Sequence, residues 1–399
     1  MGVATTYNPG SMSRFTAILL IAFATLASPA FSADPPPGTT FPEDDIDPAT
    51  GLARSSVVRP LRDAVPVPDG RPIARPIATR PHIALILPTA SPALGRLADA
   101  VRAGFMAAAE VAGRGGVPVT VTAVDNEAAA LTDACRNSQA AGALLVVGGF
   151  TRDGATTLAS SDCARQPVLA LNELRADLPP GVYSVSLSLE NEARQAALLA
   201  VADGWRSAII IGTNTPLSRR VQEAFEREWS RAAGEFRRIT FSGIAEEAGL
   251  VRERVAGKRG DMVFFALDQV EARAVRPYVS GMLPIYATTL SVNPRAEAIV
   301  NVDLQGVRYL EMPWFVHPDH PAVMVYPPPK GAMSVEHERL YAFGIDAFRL
   351  SLLLMRGNPT RTALDGVTGR IAIEGGNFVR TLAPAEVDGG RVIPARGAP

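Results

Sequence analysis

The chain has 399 residues, 47% of them hydrophobic, with 39 Lys plus Arg balanced by 40 Asp plus Glu. A net charge of −1 gives no electrostatic reason to expect nucleic acid or an anionic membrane as a partner. Lysine is confined to Lys258 and Lys330, with arginine supplying the other positive charges, which reads as coding bias rather than a binding signal.

In chain order, Arg14 precedes an apolar run over 15–26, and small residues follow at Ala27, Ser28, Ala30, Ser32 and Ala33. This is the layout of a secretory signal peptide, read here as 1–32 with cleavage after Ser32 and Met12 as the true start. The run is shorter than a membrane span, and an uncleaved anchor is the alternative. No cysteine lies near the cleavage point, so no lipid-bearing thioether is expected there. The mature protein is therefore expected in the periplasm, soluble and with no transmembrane span. Among the charged residues the leader holds only Arg14, so cleavage takes the net charge from −1 to −2. Residues 33–80 are dense in proline without apolar periodicity, and they read as a disordered or extended linker. A proline-motif ligand is the functional alternative.

From 81 the composition is that of a globular protein, and about 310 residues is enough for two cores. Short apolar runs at 83–87, 117–124, 143–147, 167–171 and 182–187 alternate with helical stretches at 92–112 and 127–140 and a third opened by Thr151. Ser91 and Pro92 read as the cap and first residue of the first helix. The pattern then restarts. Helices at 190–203, 215–233, 250–256 and 270–280 alternate with strands at 208–211, 238–241, 262–266 and 285–288. Two such rounds predict an α/β fold of two doubly wound parallel-sheet lobes joined by a multi-crossing hinge, rather than one closed barrel. The expected division is 81–188 plus 312–358 for lobe 1 and 189–311 plus 359–394 for lobe 2. A return strand is expected over 306–315 and an irregular Pro-rich loop over 317–330. A helix over 335–355 should rejoin the first lobe, and a hairpin over 366–379 should sit on the second. Cys135 and Cys163 are expected to form a disulfide in an exported chain, with two buried unlinked thiols as the alternative.

LYAFGIDAFRL, at 340–350, and LDGVTGRIAIEGGNFVR, at 364–380, are similar to the closing helix and hairpin of the penicillin-binding protein activator family of LppC/LpoA type. IALILP and AVRAGFMAA resemble that family's first βα unit. The resemblance runs over 83–392 and places the chain among type I periplasmic binding protein-like folds. It implies a non-catalytic periplasmic regulator that binds a class A penicillin-binding protein and stimulates peptidoglycan cross-linking. Better-known members carry a lipid anchor and an N-terminal helical-repeat domain where this chain has its Pro-rich stretch.

In this architecture a ligand sits between lobes at the carboxyl ends of the strands. The residues expected there are Thr89, Ser91, Gly149, Thr151, Asn172, Thr213, Asp268 and Thr288. Gly149, Thr151 and Asn172 could hold a ligand carboxylate, or Thr151 could simply cap a helix. Asp268 is the sole nearby acid for a ligand ammonium, and its favoured reading is as the cap of the next helix. The set is incomplete for a free amino acid, so the cleft reads as vestigial or as a site for another ligand. No GxSxG, SxxK, HExxH or GxxxxGK is present, so no catalytic role and no cofactor is expected. His317 and His320, with Asp319, lack a helix to align them on a metal. With Trp314, Phe315 and Tyr326 they form either a partner surface or packing at the lobe junction. Asp346 and Arg349 are expected to fix the docking of the closing helix. The competing function is a substrate-binding receptor for an amino-acid or small-molecule ABC transporter. An enzyme is the third possibility.

Overall fold

The computed structural model describes residues 81–395, apart from 114–115, 175–177, 233, 258–259, 280 and 358–362. The leader, its cleavage point and the Pro-rich linker lie outside the described residues. Strand β1 (His82–Leu87) is buried at every position, as an unbroken apolar run should be when both sheet faces are covered. Helix α1 (Gly95–Ala112) starts a turn later than Ser91 and Pro92 predict. The chain leaving β1 bends so tightly that a Cβ on Gly95 would stand 2.9 Å from the Thr89 carbonyl oxygen. Ser91 still serves this turn, its carbonyl accepting the Gly95 N–H at 2.8 Å.

The first round continues through β2 (Val119–Ala123), α2 (Ala128–Ala140), β3 (Ala143–Gly148), α3 (Arg152–Ser160), β4 (Val168–Ala170) and β5 (Val182–Val185). The second round comprises α4 (Leu189–Ala202), β6 (Ser207–Gly212), α5 (Pro216–Ala232), β7 (Glu235–Thr240), α6 (Leu250–Ala256), β8 (Met262–Ala266), α7 (Gln269–Val275) and β9 (Ile285–Ala287). Then come α8 (Ala298–Asn301), β10 (Val307–Glu311), α9 (Pro313–Val316), α10 (Pro321–Met324) and α11 (Val335–Met355). The chain closes with β11 (Leu364–Gly366), β12 (Gly369–Glu374), β13 (Asn377–Thr381), β14 (Ala383–Asp388) and β15 (Arg391–Pro394). One sheet has eight strands, ordered β11-β12-β13-β5-β4-β3-β1-β2, and the other seven, ordered β15-β14-β10-β9-β8-β6-β7. The βα rounds pair in parallel within each sheet, giving a two-lobed α/β fold and excluding a closed barrel.

Two expectations need correction. Residues 317–330 are not wholly irregular, since α10 interrupts them. The closing hairpin belongs to the first lobe, where β13 pairs parallel with β5 through Asn377↔Ser184 and Phe378↔Val185. The segment expected to follow the second lobe is therefore divided. Strands β11 to β13 extend the first sheet, while β14 and β15 extend the second through the antiparallel pairing of β14 with β10. A hairpin's local pattern says which two strands pair, but not which sheet edge they join.

The closing helix explains the first-lobe placement. Asp346 of α11 is wholly buried. Its Oδ1 accepts the Val367 N–H at 3.1 Å, and its Oδ2 accepts the Thr368 N–H at 2.8 Å and hydroxyl at 2.7 Å. Arg349 Nη1 donates to Oδ1 at 3.1 Å. One carboxylate thus pins the β11–β12 turn to α11. Gly366 must stay bare, because a Cβ there would run into Oδ2. Glycines also let α11 lie directly on α1. A Cβ on Gly344 would collide with the Val101 carbonyl, and one on Gly104 with the Tyr341 carbonyl. Phe105 and Phe348 meet edge to face beside this crossing, with ring centroids 5.2 Å apart.

Cys135 of α2 and Cys163, in the turn after α3, are joined as a disulfide with Cα atoms 6.2 Å apart. Gln139 donates to the Cys163 carbonyl at 2.9 Å, tying the same two segments a second time.

Candidate functional site

The carboxyl ends of the strands in both sheets carry the residues expected to form a ligand site, but the structure scatters them. Thr89 and Ser91 border a cavity of about 640 Å³ with Arg96, Asp99, Ser334 and His337. Gly149 and Thr151 lie at a space of only about 10 Å³. Asn172 lines a third cavity, of about 280 Å³, with Phe150, Arg152, Glu190, Arg220 and Phe343. The polar atoms are largely engaged. Thr151 Oγ1 accepts the Gly154 N–H at 3.1 Å, so it caps α3. Asn172 donates to the Phe150 carbonyl at 2.9 Å and accepts the Glu173 N–H at 3.0 Å.

The second-lobe candidates Thr213, Asp268 and Thr288 do not line these three cavities. Thr213 is buried, its N–H donating to Ser218 Oγ at 2.9 Å. Thr288 is buried as well, and its hydroxyl accepts the Leu290 N–H at 3.4 Å. Asp268 forms a capping box with Glu271 at the start of α7, each carboxylate accepting the other residue's N–H at 2.9 Å. Of the eight candidates, Thr151 and Asp268 cap helices, and Thr213 and Thr288 are buried.

Ion pairs dominate where the lobes meet. Glu190, at the start of α4, takes Arg152 of the first lobe and Arg220 of the second on the same oxygen, each at 3.0 Å. Burial would raise the Glu190 pKa. Its own backbone N–H, the Arg152 hydrogen bond and the charges of Arg220 and Arg152 outweigh that and hold it below the usual glutamate value. The carboxylate therefore contributes stability above the ordinary glutamate pKa and loses it as pH falls through the lower, folded-state value. We expect Glu190→Gln to lower the melting temperature at neutral pH, with the difference shrinking as pH falls below the ordinary glutamate range and vanishing below the lower, folded-state value. Melting curves at pH 7 and in acid check this, and an equal deficit at both would refute it. Both arginines are half exposed, so the difference should also shrink in salt.

A second bridge lies at the start of α11. Arg339 of α11 pairs with Glu311, at the end of β10, at 2.7 Å, and the acid is fully buried. The adjacent Glu338 takes Arg295 Nε at 2.9 Å and Trp314 Nε1 at 2.9 Å. Both guanidiniums approach the Phe315 ring, with Arg295 5.0 Å and Arg339 5.5 Å from its centre. Below this, Glu192 accepts Thr289 through N–H at 3.1 Å and Oγ1 at 2.7 Å. Burial raises its pKa, against the pull of Thr289 and of the Arg380 and Arg339 charges.

The residues expected to form a partner surface also make internal contacts. Trp314 is 6% exposed and engaged by Glu338, and Phe315 is stacked at the lobe junction. Tyr326 packs partly buried against the large core. His320 caps α10 through Nδ1, accepting the Ala322 N–H at 3.2 Å, and its Nε2 faces Asp365 at 3.2 Å. His317 is half-buried, its N–H donating to the Pro313 carbonyl at 2.8 Å. Trp314 is buried, and the other four are partly buried. Among the described residues no cluster of three His, Cys, Asp or Glu side chains could hold a metal. No helix among them is long and apolar enough to cross a membrane.

The model of the family described as "LppC putative lipoprotein" matches residues 76–252 and 249–386, which together cover most of the chain. The chain belongs to the LppC family. Among curated relatives of this LppC-family chain, proteins named penicillin-binding protein activator LpoA recur. One from Photobacterium profundum is 24% identical over 339 residues, covering 75% of this chain and 54% of that protein. Another, from Edwardsiella ictaluri, is 26% identical over 316 residues, covering 68% and 46%. The chain thus spans about half the length of the curated relatives it matches. Among solved structures, the C-domain of Haemophilus influenzae LpoA, described as a regulator of PBP1A, superposes with a TM-score of 0.65 at 21% identity, covering 79% of this chain and 99% of that one. A Chromobacterium violaceum chain described as a "putative branched-chain amino acid ABC transporter" gives 0.66 at 32% identity, covering 77% and 99%. The fold is therefore the type I periplasmic binding protein-like one.

The bridging charges were not foreseen from sequence. Arg152, Glu190 and Arg220 are separated by 38 and 30 positions, and Glu311 from Arg339 by 28. No local spacing marks such pairs. Asp346 and Arg349 were visible because their three-residue step falls on one helix face.

Proposed function

We propose that this chain is a non-catalytic periplasmic regulator that docks on a class A penicillin-binding protein and stimulates its peptide cross-linking. The observation that carries the reading is the family match over most of the chain, together with curated relatives that are named activators. The interlobe charges favour the same reading. Arg152, Arg220, Arg295 and Arg339 already have protein carboxylates as partners, which leaves little to recognise a charged solute. The inferred chemistry is docking between folded surfaces, with no bond made or broken by this protein.

The test uses purified full-length chain and a class A penicillin-binding protein. Co-purification and faster formation of cross-linked peptides from lipid-linked precursor are the expected results. Absence of both would refute the reading.

A solute receptor is the second reading, favoured by the 32% identity to the Chromobacterium violaceum chain. Calorimetry against free amino acids and wall-peptide fragments separates the two. Tight amino-acid binding in the cleft, without any effect on a synthase, would establish the receptor. We expect no saturable amino-acid binding there, because Thr213, Asp268 and Thr288 are committed to capping or buried bonds.

A further inference from the structure

We propose that the two lobes are locked in one relative orientation, so that the protein works as a rigid body rather than as a closing clamshell. The chain crosses between the sheets three times. The first crossing is 186–188, from β5 to α4, which packs on α5, β9 and β10 of the second lobe. The second leaves β10 at Met312, and the third is the single residue Leu382, between β13 and β14. A hinge needs residues that can absorb a large change in φ and ψ. Leu382 is 4% exposed and Met312 1%. Met312 also precedes Pro313, which holds its backbone in the extended region.

Hydrogen bonds fasten the crossings to one another. Gln195 of α4 accepts the Leu382 N–H at 3.0 Å and donates to the Arg380 carbonyl at 2.8 Å. Asn191 donates to the same carbonyl at 3.2 Å. The Arg380 side chain is buried, and its Nε donates to the Ser186 carbonyl of the first crossing at 2.9 Å. Its Nη1 donates to the Thr368 carbonyl at 3.1 Å, in the turn that Asp346 pins to α11. The Trp314 N–H, just past Met312, donates to the Val367 carbonyl of that turn at 3.0 Å. All three crossings are thus joined through Arg380 and the Val367–Thr368 turn.

Three ion pairs add ties between the lobes. Glu190 of α4 holds Arg152 of α3, Glu338 of α11 holds Arg295 from the segment between β9 and α8, and Arg339 of α11 holds Glu311 of β10. A clamshell turns by exchanging contacts across its hinge. Here a turn would leave the Leu382 N–H, the Arg380 guanidinium and the Glu311 carboxylate unpaired in buried surroundings. A solute shifts such an equilibrium only by contacts that it makes better in one state, and the chain's own side chains already make these. A partner would therefore meet both lobes as one fixed surface, whatever that partner is.

The test is a distance between lobes in the full chain. Arg96→Cys in α1 and Val270→Cys in α7 place spin labels on exposed residues of the first and second lobes, the two native cysteines being joined to each other. Pulsed electron spin resonance should give one narrow distance, unchanged by free amino acids or wall-peptide fragments. Gln195→Ala in this labelled protein, which releases Leu382 and Arg380 from α4, should about double the width of the distribution. Arg152→Ala combined with Arg295→Ala removes two partly exposed arginines, leaves the hinge bonds in place and should widen it less. This pair carries the comparison if Gln195→Ala loses its cooperative melting. Two distances in the labelled parent, or a shift when those solutes are added, would overturn the proposal. So would an unchanged width in every variant that still melts cooperatively.

Discussion

Replacing Asp346 by alanine should destabilise the protein by about 3–5 kcal/mol. The carboxylate is wholly buried and takes two backbone N–H groups, one hydroxyl and one guanidinium. Alanine leaves the Val367 and Thr368 N–H groups without an acceptor in a closed space. Each such orphan costs about 1–3 kcal/mol. Arg349 loses its counter-charge but is partly exposed, so it can turn to water at smaller cost. In a melting experiment the deficit should appear as a fall on the order of 6–10 °C. Asp346→Asn keeps the shape and one acceptor oxygen, and should lose less. Arg349→Ala should lose least of the three. An Asp346→Ala protein within 1 kcal/mol of the parent would mean that the β11–β12 turn is held by its strand pairing alone.

Gly344→Ala should also destabilise, by about 3 kcal/mol, at a place where helix propensity alone predicts the opposite. In an exposed helix, glycine to alanine gains about 1 kcal/mol, because the unfolded chain has less freedom to lose. Here the added Cβ meets backbone. It collides with the Val101 carbonyl and would stand 2.8 Å from the Phe105 nitrogen. A backbone atom cannot swing aside as a side chain can, so α1 and α11 must separate. The Phe105–Phe348 contact would open with them. Gly104→Ala should behave alike, because its Cβ meets the Tyr341 carbonyl across the same crossing. Chemical denaturation of both single variants and the double variant checks this. The double should cost less than the sum, since the helices separate only once. A stabilised Gly344→Ala protein would refute the close crossing.

Both predictions fall in LYAFGIDAFRL and LDGVTGRIAIEGGNFVR, where the sequence was legible and yet incomplete. The three- and four-residue apolar steps from Leu340 to Leu354 point to a helix, and α11 runs Val335–Met355. The expectation that Asp346 fixes the docking of this helix gains a named target, the Val367–Thr368 turn. No local pattern named that target. The destination of the hairpin was misread for the same reason. Val367, Ile371 and Ile373 alternate whichever sheet receives them, and only contact with α11 and β5 selects the first lobe.

The candidate site shows a sharper limit. Thr89, Thr151, Asn172, Asp268 and Thr288 sit at strand ends, where this fold places ligands, and each has a chemistry suited to binding. At the same positions a chain must stop its strands and start its helices, and the same side chains do that work. The distinction depends on where each hydroxyl and carboxylate points. Trp314 and Phe315 likewise read as partner contacts or junction packing, and Glu338, Arg295 and Arg339 draw them into the junction.

By itself the sequence determined the alternation of strands and helices, the two rounds of βα units and hence the two lobes. Those features follow from apolar periodicity over a few neighbouring residues, which each element needs in order to bury one face. Only the tertiary structure decided the sheet that receives the closing hairpin and the arginines that meet Glu190 and Glu311. These depend on atoms dozens to hundreds of positions apart, where closeness comes from how sheets and helices stack and leaves no trace in local spacing.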